Sequence, residues 1–207
     1  VDNRKTIRIM KIKDYIIKRK AISPEFANYL YNYLVLKNNC LDTYLKYQRI
    51  SPYNDMHGFK GDAQSSSNTF CVYGDTALDT LLASLVPLMN EETGLQLIPT
   101  YSYARLYVTG DVLKKHKDRK SCEYSTTLHL GGDEWPIFIE NKNKKSVKVD
   151  LKPGDMLIYR GCDLEHWREE FTKTICGQVF LHYNLSADQD NLYDRRLHLG
   201  LPSSFKK

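Results

Sequence analysis

The stretch Leu151-Lys152-Pro153-Gly154-Asp155-Met156-Leu157-Ile158-Tyr159 decides how the second half of the chain is read. Proline presets the second position of a tight turn, and glycine tolerates the positive φ of the third, so Pro153-Gly154 is a turn. The flanking runs are short, apolar and rich in strand formers, which makes the unit a strand, a turn and a strand. Working outward, similar runs alternate with turn residues from Gly94 to Asn184. Strands are expected over 101–108, 124–130, 135–140, 146–151, 156–160, 166–171 and 176–184, with Asn141 to Lys145 a polar turn. Upstream the period lengthens. Ser23 as cap, Pro24 at the first position and the stripe Phe26, Leu30, Tyr33 and Leu34 predict a helix over 22–36. Leu78, Leu81, Leu82, Leu85 and Leu88 or Met89 predict a second over 75–92, ended by Gly94 and interrupted near Pro87. Gln48 to Asn68 is rich in Ser, Gly, Asn and Asp and reads as a long loop. Helices followed by many short strands predict a mainly β fold, with N-terminal helices packed on a β-sandwich or jelly roll.

The chain has 207 residues, 42% of them hydrophobic and 27% charged, enough to bury one core without staples. It is expected to form one structural domain: a helical support and substrate loop over 1–98, a strand-rich core over 99–184 and a docked tail over 185–207, frayed at Lys206-Lys207. Its apolar runs are too short to cross a bilayer. No charged-then-apolar leader opens it, so secretion is not expected. The five cysteines, Cys40, Cys71, Cys122, Cys162 and Cys176, include no Cys-x-x-Cys pair. That disfavours a zinc ribbon, a thioredoxin-like site and a disulfide scaffold, and favours a reducing, cytoplasmic compartment. A net charge of +5 is mild and spread out. The basic knots at Lys11 to Lys20 and Lys142 to Lys148 read as solvated surface, and nucleic acid is an allowed but disfavoured partner.

The chemical signal is His116-Lys117-Asp118 with His166 downstream. In a strand, residues i and i+2 share a face, so His116 and Asp118 suit one metal ion. A sheet closing on itself brings His166 opposite them. Two imidazoles and a carboxylate on one octahedral face leave the opposite face open, the facial triad of non-haem Fe(II) oxygenases. In the middle strand, Leu128 and Leu130 point one way; Ser125, Thr127 and His129 point the other, toward the barrel.

Tyr107, His116-Lys117-Asp118-Arg119, the strand Thr126 to Leu130, the Pro-Gly-Asp turn, His166-Trp167-Arg168-Glu169 and Val179-Phe180-Leu181-His182 fall in a family's order. The run from Tyr103 to Asn184 resembles the catalytic core of the 2-oxoglutarate- and Fe(II)-dependent dioxygenases. It is nearest the prolyl-4-hydroxylase-like branch, in a form found among microbes and their viruses. The resemblance implies a double-stranded β-helix and iron at His116, Asp118 and His166. It implies 2-oxoglutarate and dioxygen as co-substrates, ascorbate as a stimulant, and hydroxylation of a protein or peptide residue, prolyl first. One departure stands out. The family's closing-strand Lys or Arg, which pairs with the distal carboxylate of 2-oxoglutarate, is here Thr174, Ile175 or Cys176. Arg168, on the face of His166, is the favoured substitute and Lys173 the alternative. Tyr107, Thr127 and His129 are further co-substrate candidates. Arg119, Tyr53 and His57 are substrate candidates, the last two on a loop expected to close over a bound chain. Hydroxylation of a free amino acid or small metabolite, AlkB-like demethylation of nucleic acid and a metal-free binding module on the same barrel remain as alternatives.

Overall fold

Seven strands that the sequence reading leaves out or shortens complete the architecture: four are new, and three run further than expected. The computed structural model describes residues 15–141 and 143–206; the basic knots lie partly outside them, as does Lys207. In chain order the elements are β1 (Tyr15–Lys18), α1 (Pro24–Lys46), β2 (Phe59–Lys60), β3 (Phe70–Tyr73), α2 (Thr76–Ser84), α3 (Val86–Thr93), β4 (Leu97–Val108), β5 (Leu113–His116), β6 (Tyr124–Gly132), β7 (Ile137–Glu140), β8 (Ser146–Val149), β9 (Met156–Tyr159), β10 (His166–Arg168) and β11 (Ile175–Leu185).

The first helix starts as the sequence predicts. The Ser23 hydroxyl accepts from the Phe26 N–H, and Pro24 sits in the first turn. It runs ten residues further because Leu41 extends the buried stripe begun by Leu30 and Leu34. The second expected helix breaks at Leu85, and Pro87 opens α3, a position where its missing N–H costs nothing. The long loop contains the short edge strand β2, paired with β3.

Antiparallel pairing builds two sheets, one ordered β1-β9-β6-β11-β4-β3-β2 and the other β5-β10-β7-β8. This is a double-stranded β-helix. The Pro-Gly turn lies between β8, which ends at Val149 rather than at the expected 151, and β9. Asp155 N–H donates to the Lys152 carbonyl at 2.8 Å, and Gly154 has φ +90°, so glycine is required at the third position. The helices cover the outer face of the larger sheet. Leu30, Leu34, Leu78, Leu82 and Met89 pack there with Ala104, Leu106, Leu128, Val179 and Leu181. The tail docks on the same face through Arg196, whose Nη1 donates to Asp79 Oδ2 at 2.9 Å, both side chains being buried. No described helix is long and apolar enough to cross a membrane.

Candidate metal and co-substrate site

The two histidines meet because of register. In β10, His166 pairs directly with His116 of β5 on one side and with Ile139 of β7 on the other. The rings lie 4.3 Å apart between centroids. Asp118 follows β5 rather than lying on it, so it arrives by loop geometry and not by strand alternation. Its N–H donates to the Gly161 carbonyl at 2.9 Å. Gly161 must be glycine: a Cβ there would stand 2.2 Å from Asp118 Oδ2. One ligand atom from each of the three residues lies within 4.8 Å of the other two.

The surroundings orient all three. His116 Nδ1 lies 2.7 Å from the Lys114 carbonyl, and His166 Nδ1 lies 3.0 Å from that of Leu164. A carbonyl only accepts, so each Nδ1 carries a proton and each Nε2 is the atom turned to the site. Both Nε2 atoms face Asp118 Oδ1, at 3.6 and 3.5 Å. Ser125 Oγ donates to Asp118 Oδ2 at 2.6 Å and lies 3.0 Å from His182 Nδ1. Burial alone would raise the Asp118 carboxyl, but His116 and His166 outweigh it and hold it well below the usual carboxylate range. Burial works the other way on His116, yet Asp118 beside it leaves its pKa raised. His182 is pushed down to about 4, chiefly by burial. The donor set therefore fits a divalent metal such as iron: the Nε2 atoms of His116 and His166 and the ionised carboxylate of Asp118 converge on one point.

A cavity of about 260 Å³ opens beside the triad, walled by Tyr101, Tyr103, Arg105, Tyr159, Phe180 and His182 among others. Arg105, which the sequence reading overlooked, is the arginine in this wall. Its Nη1 donates to the Tyr107 hydroxyl at 2.9 Å, and its charge is met by Asp62 at 2.6 Å. Parity along β4 was the available signal, since Tyr103, Arg105 and Tyr107 share its barrel face.

Arg168 lies deeper. It is 1% exposed, so it does not pair with Glu165 or Glu170 at the surface. Its Nη1 donates to the Trp135 carbonyl and its Nη2 to Thr127 Oγ1 at 3.2 Å. Its Nε has no partner, and no described carboxylate pairs with it. Burial lowers its pKa from the usual arginine range. An uncompensated, dry guanidinium is costly unless an anion meets it, so charge favours an anion at this end of the barrel. Tyr107 is fully buried and Thr127 touches Arg168. His129 is one step removed: Gln178 Nε2 lies 3.0 Å from its Nδ1, and burial lowers its pKa to about 4. Lys173 is exposed in the turn before β11, outside the barrel.

The substrate candidates separate. Arg119 forms a two-point ion pair with Asp194 of the tail, at 3.0 and 2.7 Å. It walls a second cavity of about 570 Å³ together with Tyr53, Phe59, Tyr73 and Lys206. Tyr101 and Tyr103 line both cavities. Tyr53 is 94% exposed on that wall. His57 instead packs on Tyr44 of α1, 5.1 Å between centroids, and lines neither cavity.

Among solved structures the fold has close parallels. A prolyl-4-hydroxylase from Pseudomonas putida superposes with TM-score 0.60 at 12% identity, covering 85% of this chain and 95% of its own. The viral collagen prolyl hydroxylase of Paramecium bursaria Chlorella virus-1, solved with 2-oxoglutarate, gives 0.56 at 12%, covering 83% and 96%. SnoN, a non-haem α-ketoglutarate-dependent epimerase from nogalamycin biosynthesis, gives 0.62 at 11%, covering 87% and 81%. No family model and no curated sequence matches the chain. At such identities the likeness speaks for the fold, the jelly roll of the 2-oxoglutarate/Fe(II) oxygenases.

Proposed function

We propose that the chain is an Fe(II)- and 2-oxoglutarate-dependent dioxygenase that hydroxylates a residue, prolyl first, in a protein or peptide. The observation that carries the reading is the pairing of a converged His116/Asp118/His166 set with the unmatched buried cation of Arg168 inside one barrel. His116, Asp118 and His166 would hold the iron, which with 2-oxoglutarate supplies activation of dioxygen. The Lys114 and Leu164 carbonyls fix the imidazole tautomers, and Ser125 holds the carboxylate rotamer. Arg168 and Tyr107 take the distal carboxylate of the co-substrate. Tyr101, Tyr103 and Phe180 narrow the cavity and exclude water.

Support for an extended chain as substrate comes from the second cavity, whose wall combines Pro52, Tyr53, Phe59 and Tyr73 with the shared Tyr101 and Tyr103. Aromatic-lined grooves suit proline-containing chains, which are stiff before they bind. The test is succinate release from 2-oxoglutarate with a panel of proline-containing peptides, free proline and methylated DNA. Turnover on a peptide alone is expected; turnover on free proline or DNA alone would replace the substrate assignment, and no 2-oxoglutarate decay with any of them would remove the activity.

A further inference from the structure

The cavity beside the triad already contains a carboxylate supplied by the protein. Asp62 Oδ2 accepts from Arg105 Nε at 2.9 Å, from Arg105 Nη2 at 2.6 Å and from the Tyr103 hydroxyl at 2.6 Å. Asp62 and Arg105 both line the cavity that His116, Asp118 and His166 share. Asp62 is not part of the barrel. It sits near the start of the 61–69 loop between β2 and β3. Its Oδ1 accepts from the Gln64 N–H and the Ser65 hydroxyl, at 2.8 and 2.9 Å, so the carboxylate rides on a local turn.

The loop is tethered beyond that turn. Asp111 accepts from Ser66 N–H at 2.8 Å and from Thr69 Oγ1 at 2.6 Å. On the near side, Gly61 has φ +69°, and its N–H donates to the Thr69 carbonyl at 2.8 Å. The segment 62–65 therefore hangs between two anchors, attached to the barrel through Asp62, through Gln64, whose Oε1 accepts from Arg105 Nη2 at 3.0 Å, and through Ser65, whose Oγ lies 3.8 Å from Cys71 Sγ on β3.

We propose that Asp62 is an internal stand-in ligand on the Arg105 anion site, and that a carboxylate-bearing molecule entering the cavity displaces it and swings residues 62–65 off the barrel. The exchange is selective for chemical reasons. One carboxylate replaces another, so the buried guanidinium stays paired and Tyr103 keeps an acceptor, while Asp62 moves into water. A neutral molecule would leave Arg105 buried and unpaired. Arg105 thereby adds a demand for negative charge next to the metal ligands, distinct from the deep Arg168. The mechanism concerns carboxylate chemistry; the proposed dioxygenase activity enters only in naming its source, the co-substrate or the substrate.

Calorimetry on the zinc-loaded protein separates the sources: 2-oxoglutarate is titrated first, then N-acetylproline with 2-oxoglutarate saturating. Hydrogen exchange of residues 61–66 is followed in both. The displacing ligand is expected to raise exchange in this segment, to bind D62N about tenfold or more tightly than wild type, and to bind R105Q about tenfold more weakly. S65A removes the hydroxyl that donates to Asp62 Oδ1 and leaves Arg105 and Tyr103 to the ligand, so it should tighten binding severalfold and decides the matter if D62N folds poorly. A response to 2-oxoglutarate assigns the site to the co-substrate; a response to N-acetylproline alone assigns it to the substrate. Binding of 2-oxoglutarate with the segment unmoved and D62N and S65A within twofold of wild type overturns the latch alone. A protein that binds neither carboxylate overturns the latch and the dioxygenase reading together.

Discussion

On one face of β4, β6 and β11 the side chains are Ala104, Leu106, Leu128, Val179 and Leu181; on the other they are Arg105, Tyr107, Ser125, Thr127, Gln178 and His182. Both sets are buried, so exposure does not distinguish them. The helix side is dry because apolar groups leave water favourably. The barrel side is dry because the second sheet closes over it, and every polar group there must find a partner or cost stability. Most do: Ser125 with Asp118 and His182, Thr127 with Arg168 and Gln178. Arg168 Nε and His129 Nε2 do not. One face stabilises the fold, and the other spends part of that stability on a preorganised site.

Four tests would break or sharpen this contrast. The largest effect is expected on the apolar face. Leu128→Ala empties a fully buried position on a central strand and should cost about 2–5 kcal/mol in chemical denaturation, while metal binding at His116, Asp118 and His166 persists in the folded fraction. On the polar face, Ser125→Ala should lower metal affinity by about 10–100-fold, because Asp118 loses the hydroxyl that holds its rotamer. Equal losses of stability from both variants would erase the distinction.

Acidification probes the polar face next. His129 and His182 have pKa values lowered to about 4 from 6.5, first by burial. The unfolded chain then binds more protons, so stability is present above pH 6.5 and is lost as the pH falls toward 4. Each imidazole should contribute about 2 kcal/mol of loss between pH 7 and 5 in the metal-free protein. His116, whose pKa is raised, works in the opposite direction. Urea midpoints of His129→Gln against wild type isolate the effect, and an unchanged pH slope would refute it. The smallest effect belongs outside both faces. Lys173→Ala, at an exposed position, should change stability by less than about 0.5 kcal/mol and leave the 2-oxoglutarate requirement alone, whereas Arg168→Ala should raise it strongly. A raised requirement in Lys173→Ala would move the carboxylate site to the mouth of β11.

How much of this was legible in the chain differs by element. The strand-rich half, the Pro153-Gly154 turn and the parity of β6 follow from local rules, since turn chemistry and a two-residue period act over a few residues. β1 and β2 were not legible: each is a short edge strand formed by its partner, β9 or β3. Asp118 was expected on a strand, yet the Gly161 carbonyl holds it on a loop. The Arg105–Asp62 pair was missed because its halves lie far apart in the chain and neither stands in a motif.

The sequence by itself determined the mainly β class with helices ahead of it, the helix start at Ser23, and the rare residue types at His116, Asp118 and His166. Tertiary structure alone decided that β10 sets His166 directly against His116, that Arg168 turns inward without an acid, and that Asp62 reaches across to Arg105. The reason is physical. Propensity and turn chemistry are local free energies, whereas register, burial and charge pairing are set by which distant segments exclude water from one another.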